Sequence, residues 1–121
     1  MFSLTSSHQY FLYTAPTDMR KSFDGLQGLV QSRLQGNPAS GQVFVFINKR
    51  RDRIKLLHWE PGGFVLYYKR LEKGTLELPD IREQTYRISW PELMMIVEGI
   101  SIRHIEKRVR FSGKKLIEKR P

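Results

Sequence analysis

The sequence has no cysteine, no long apolar run and few acidic residues. Because no thiol is present among the 121 residues, disulfides and thiolate metal sites are excluded, and a reducing cytoplasm fits. The longest apolar runs are about five residues, far short of the roughly 20 that a membrane helix needs. The N-terminus has no basic region followed by an apolar core, so we expect no secretory signal and no membrane association. These absences favour a cytoplasmic protein.

The positive charge is large and unevenly distributed. Lys and Arg number 21 against 12 Asp and Glu, which gives a net charge of +9 and favours an anionic partner, nucleic acid before a membrane surface. Residues 103–121 hold eight bases and two acids and therefore carry most of the excess. We expect a single domain over 1–102 and a basic C-terminal tail over 103–121. The tail is either a solvated, disordered segment or a specific binding element.

The hydrophobic pattern predicts an α+β fold, an antiparallel sheet meander of four to six strands with two helices packed on one face. Apolar residues at helical spacing predict helices over Ser22–Leu34 and Ser89–Glu98, the second beginning with a capping box. Alternating or continuous apolar residues predict the strands. These are Tyr10–Tyr13, Gln42–Ile47, Arg53–Trp59 and Phe64–Leu71, with weaker candidates at Thr75–Leu78 and Tyr86–Ile88.

One stretch near the N-terminus mixes residue types that helix formation alone would not select. It holds two acids, two bases, a glycine and three apolar residues in Thr17-Asp18-Met19-Arg20-Lys21-Ser22-Phe23-Asp24-Gly25-Leu26. Further elements follow in order: Val43-Phe44-Val45-Phe46, Asp52-Arg53-Ile54-Lys55, Trp59, Lys69-Arg70-Leu71-Glu72 and Glu98-Gly99-Ile100. As an ordered set, they resemble the TnpB-type accessory protein, the second open reading frame of the IS-sixty-six family of bacterial insertion sequences. The motif residues that we single out are Asp18, Met19, Arg20, Phe23, Asp24 and Gly25.

The resemblance implies an accessory role in transposition, with the strand-transfer chemistry carried out by a separate, larger transposase. The residues themselves also give no support for catalysis. Two-metal phosphoryl transfer needs converging carboxylates, and no two acids fall on one predicted face at useful spacing. The three histidines are scattered, and no serine stands in a nucleophile elbow. We therefore predict no enzymatic activity, no catalytic residues, no metal site and no cofactor.

Two basic segments are predicted to meet at one end of the sheet. In an up-down-up meander, the third strand ends at the same edge as the turn between the first two. The bases brought together there are Lys49, Arg50, Arg51, Arg53, Lys55, Lys69, Arg70 and Lys73. Such a patch would contact phosphates, or alternatively would keep a hairpin solvated and deter edge-to-edge aggregation. Arg20 and Lys21 precede a helix N-terminus and could add a phosphate site, although Asp18 could instead pair with Arg20.

These features leave two hypotheses for the partner. In the first, the protein binds nucleic acid, preferably DNA, largely through phosphate contacts, with the tail adding nonspecific attraction. Aromatic residues near the bases could stack on unpaired nucleotides or belong to the core: Trp59, Phe64, Tyr67 and Tyr68. In the second, the chain is a protein-interaction module that recruits or regulates the transposase, or other proteins of the same element, without contacting DNA. Residues 18–26 would then be the docking surface.

Overall fold

The structure of the protein is a computed structural model that describes residues 4–98, so the predicted basic tail and Gly99 lie outside the described residues. A five-stranded sheet and two helices confirm the α+β prediction. The elements are β1 (Tyr10–Tyr13), α1 (Phe23–Ser32), β2 (Val43–Ile47), β3 (Arg53–Glu60), β4 (Gly63–Arg70), β5 (Thr85–Ile88) and α2 (Trp90–Val97). The weak strand candidate at 75–78 is wrong. That segment is irregular and inserts the buried Leu76 into the core.

The sheet has the strand order β4-β3-β2-β1-β5. Strands β2, β3 and β4 form the predicted antiparallel meander. The sheet as a whole is mixed, however, because β1 pairs with β2 in parallel, and the prediction of a wholly antiparallel sheet is corrected in this respect. A parallel pair needs a long crossover connection, and the chain between β1 and β2 supplies one that contains α1.

The two helices pack on opposite faces of the sheet, so the prediction that both lie on one face is wrong. Residues Leu26 and Val30 of α1 pack with Phe44 and Phe46. The helix α2 packs instead with the alternate residues of the same strands, among them Val43, Val45 and Ile47. The physical reason is that all five residues of β2 are apolar and buried, and a strand with two apolar faces needs cover on both.

The local sequence signals predict the boundaries of α2 better than those of α1. The capping box at α2 is complete, since the Ser89 hydroxyl accepts from the Glu92 N–H and the Glu92 carboxylate accepts from the Ser89 N–H. Helix α1 begins directly after Ser22, but the Ser22 hydroxyl makes no capping hydrogen bond, and the helix ends at Ser32, two residues before the predicted end.

Candidate nucleic-acid interface

The turn between β2 and β3 is closed by hydrogen bonds and exposes its bases. The Asn48 Oδ1 accepts from the N–H groups of Asp52 and Arg53, both at 3.0 Å, and the Asn48 Nδ2 donates to Asp52 at 2.7 Å. This hydrogen bond, together with nearby guanidinium groups, lowers the pKa of the Asp52 carboxyl. Arg51 takes up the left-handed backbone conformation, with φ of 58°, which reverses the chain. Lys49 and Arg50 are exposed at the tip.

The end of β4 lies beside this turn, as predicted from the meander. Arg53 stands directly opposite Arg70 in the register of β3 and β4. The Leu71 N–H continues the contact by donating to the Asp52 carbonyl at 2.7 Å. The Arg53 guanidinium donates to the Tyr68 hydroxyl at 3.1 Å, and the Arg70 guanidinium lies 3.4 Å from Glu72. The convergence of the two basic segments at one end of the sheet is therefore confirmed.

Lys55 connects residues 19–21, in the motif near the N-terminus, to this end of the sheet through hydrogen bonds. Its side chain is buried, with only 4% of its surface exposed. The Nζ donates to the carbonyls of Met19 at 2.8 Å and Lys21 at 2.6 Å, and it lies 4.5 Å from the centre of the Tyr68 ring. Sequence analysis placed Lys55 among the phosphate contacts, and this is corrected, because an ammonium held inside by two carbonyls and a ring cannot reach a phosphate.

Residues 17–22, which precede α1 and which we call the motif segment, are hydrogen-bonded to the sheet at Thr17 and carry a local ion pair. The Thr17 N–H donates to the Ile47 carbonyl at 2.9 Å, next to the start of the basic turn. The Asp18 carboxylate accepts from the backbone N–H, Nε and Nη2 of Arg20, at 2.7 to 3.1 Å. These hydrogen bonds lower the pKa of Asp18 to about 2. The charge of Arg20 is therefore paired, as the alternative interpretation of this residue predicted, and Arg20 is a weaker phosphate ligand than its exposure suggests.

The remaining motif residues differ in how far they are buried. A Cβ atom at Gly25 would lie 3.1 Å from Cβ and 3.2 Å from Cγ of Lys21, so glycine leaves room for the stem of that lysine. Phe23 begins α1 and is 42% exposed, whereas Met19 is partly buried against the α1-side core. Asp24 is exposed in the first turn of α1, where a carboxylate complements the helix dipole.

Two further candidate bases have contacts elsewhere in the structure. The Lys69 Nζ donates to the Val97 carbonyl at the end of α2, on the opposite face of the sheet. Arg51 lines a separate cavity of about 220 Å³ with Leu12 and Asp80. Lys69, Arg51 and the ion-paired Arg20 are left out of what we call the basic end of the sheet, which consists of the other exposed or half-exposed candidate bases: Lys21, Lys49, Arg50, Arg53, Arg70 and Lys73. Sequence reasoning could not find the burial of Lys55, because its neighbours in sequence give no sign of its partners at 19 and 21.

Other kinds of site find little support in the part of the chain that is described. Among residues 4–98, no three His, Cys, Asp or Glu side chains are grouped so that they could hold a metal ion. Neither helix in that range is long and apolar enough to cross a bilayer. His58 lies in β3 with its ring 4.9 Å from that of His8, and burial lowers its pKa.

Comparison with known proteins decides the family. A family model described as "IS66 Orf2 like protein" matches residues 8–107. The chain belongs to the IS66 Orf2-like family. The resemblance inferred from the ordered motifs is therefore confirmed, and the chain is of the accessory type encoded by insertion sequences. No enzyme class is known for this family.

Two relatives come from Sinorhizobium fredii (strain NBRC 101917 / NGR234). "Uncharacterized protein y4jC" is 33% identical over 95 residues, which cover 78% of this chain and 81% of the relative. "Uncharacterized protein y4hO" is 32% identical over 100 residues, which cover 83% of this chain and 87% of the relative. No solved structure matches the chain. The interface described above therefore rests on the geometry of this protein itself.

Proposed function

We propose that this member of the IS66 Orf2-like family assists transposition by binding DNA non-enzymatically through the basic end of the sheet. The bases there contact phosphates, and the family supplies the context of an insertion sequence. The exposed bases in the β2–β3 turn and at the end of β4 contact the phosphate backbone. The buried Lys55 holds the motif segment beside them through its two hydrogen bonds. This form of recognition positions the protein on DNA without selecting a base sequence.

The observation that carries the proposal is the pairing of Arg53 with Arg70. Like charges directly opposite each other on neighbouring strands are destabilising. Among residues 4–98, Arg70 forms a salt bridge with Glu72 at 3.4 Å, but both of these side chains are more than half exposed, so the pair contributes little. Asp52 also interacts electrostatically with Arg53. A bound phosphate would relieve this repulsion. The overall charge of +9 supplies a long-range attraction for such an anion.

Salt dependence of binding tests the proposal. If about six phosphates of duplex DNA are neutralised, the slope of log K against log salt concentration is near −5. Arg50→Ala and Arg70→Ala should each weaken binding and make the slope less steep by about 1. Arg87→Ala is the matched control, because this exposed arginine lies in β5, at the edge of the sheet opposite β4, and four strand spacings of about 4.8 Å separate these two strands. Absence of binding at low salt, or binding independent of salt, would exclude the proposal.

One observation favours a second candidate, a docking surface for the transposase. Phe23 is 42% exposed at the start of α1, and aromatic side chains are enriched at protein interfaces. The adjoining Asp18–Arg20 ion pair could complete a polar rim around it. Co-purification with the transposase after nuclease treatment separates this candidate from DNA binding. Loss of the interaction in Phe23→Ala, with an unchanged melting temperature, would favour docking.

A further inference from the structure

Tyr68 is more exposed than the other aromatic residues near the basic end of the sheet. Tyr67 packs against the core on the α2 side, and Phe64 packs against the core on the α1 side while its ring contacts Trp59 edge-on. Tyr68 instead is 47% exposed. It lies on the same face of the sheet as Arg53 and Arg70, because alternate residues of a strand share a face.

The Tyr68 ring is held in one orientation by contacts on two of its sides. The Lys55 ammonium lies 4.5 Å from the ring centre, which is a cation–π geometry. The hydroxyl accepts a hydrogen bond from Arg53 at 3.1 Å. Lys55 lies over one face of the ring, and 47% of the surface of Tyr68 remains exposed. A ring fixed in this way loses little conformational entropy when a flat ligand stacks on it.

The surroundings of this ring suit a nucleotide. Arg53, Tyr68, Arg70 and Glu72 line an open surface cavity of about 350 Å³, within the range of sites that take small ligands. Both arginines line this cavity, and guanidinium groups are the donors that best match a phosphate, while an aromatic ring can stack on a base. A stacked base must be unpaired or splayed out, since the faces of bases inside a duplex are covered by their neighbours.

We propose that Tyr68, Arg53 and Arg70 form a binding site for an unpaired nucleotide, so that the protein prefers single-stranded or opened DNA over intact duplex. This inference deepens the proposed function and rests on it. The base stacks on the exposed face of Tyr68, and the adjacent phosphate binds between the two arginines. Recognition of this kind tolerates any base, because every base has a flat face.

Fluorescence anisotropy with the full chain, using labelled oligothymidine and a labelled mixed-sequence duplex, tests the site. Loss of one base–aromatic stack corresponds to about 1–3 kcal/mol. We therefore expect Tyr68→Ala to weaken oligothymidine binding about 5- to 150-fold and to leave duplex binding nearly unchanged. Tyr68→Phe keeps the ring and should retain most of the affinity. Tyr68→Leu keeps an apolar side chain without a flat face and should behave like Tyr68→Ala.

The outcomes distinguish this inference from the proposed function. If wild-type protein binds neither oligonucleotide at low salt, both proposals fail. If Tyr68→Ala binds both oligonucleotides like wild type, or weakens both equally, the nucleotide site is excluded while phosphate binding stands. If Tyr68→Ala melts far below wild type, the comparison of Tyr68→Phe with Tyr68→Leu decides, because equal affinities for oligothymidine in these two variants would overturn the site. Loss of transposase capture from nuclease-treated extract by Tyr68→Leu, with both DNA affinities unchanged, would assign the ring to a protein partner instead.

Discussion

Replacing Lys55 with methionine tests whether this buried ammonium holds the motif segment against the sheet. The variant keeps a stem of similar length and removes the charge, along with both hydrogen bonds to the Met19 and Lys21 carbonyls. Hydrogen bonds to charged groups contribute about 1.5–3 kcal/mol each. The net loss of stability is smaller than the sum of the two hydrogen bonds, because the variant no longer pays the desolvation cost of a buried charge. We therefore expect the free energy of unfolding to fall by about 2–4 kcal/mol.

This loss would be a large fraction of the roughly 5–15 kcal/mol that stabilises a typical domain. Urea denaturation followed by tryptophan fluorescence measures it. Hydrogen exchange gives the local view: the Lys21 N–H, which donates to the Asp18 carbonyl at 3.1 Å, should exchange faster in the variant. Lys49→Met is the matched control, because Lys49 is exposed at the tip of the turn, and such surface changes usually stay within about 0.5 kcal/mol. If Lys55→Met changes the free energy of unfolding as little as Lys49→Met does, the proposed anchoring of the motif segment by Lys55 is wrong.

Four further predictions concern single side chains. Glu72→Gln removes the acid beside Arg70 and should tighten DNA binding at low salt, as measured by anisotropy, since the guanidinium is released for phosphate. Thr17→Val should leave the free energy of unfolding unchanged or raise it by up to about 1 kcal/mol, because the buried Thr17 hydroxyl has no hydrogen-bond partner among the described residues; a clear loss of stability in urea would contradict this. Ser89→Ala should lower stability by about 1 kcal/mol through loss of the cap, and Ser89→Gly by less. Burial lowers the pKa of His58 below its unfolded value, so the stabilisation is complete above about pH 6.5 and is lost as the pH falls; urea midpoints between about pH 7 and pH 5 should drop in the wild type and drop less in His58→Gln.

From the sequence alone we located both helices and the five strands, with one further strand candidate wrong, and recognised the family of the chain. The periodic apolar residues and the complete capping box at Ser89 located both helices, because these signals are local to a few residues. The continuous apolar run of β2 already indicated a strand covered on both faces. The ordered motifs were specific enough to identify the IS66 Orf2-like family. Even the convergence of the basic turn with the end of β4 followed from the order of the strands.

Only the tertiary structure decided how each side chain is used. The parallel pairing of β1 with β2 and the placement of the helices on opposite faces depend on the path of the crossover, which no local pattern specifies. Lys55 and Tyr68 are opposite each other in the register of β3 and β4, and the lysine is buried while the tyrosine is nearly half exposed. The difference arises because the carbonyls of Met19 and Lys21, more than 30 residues away in the chain, accept hydrogen bonds from the Lys55 ammonium, whereas the Tyr68 ring stays nearly half exposed. Residue type could not reveal it, since burial of a charged group depends on partners that only the folded chain brings within hydrogen-bonding distance.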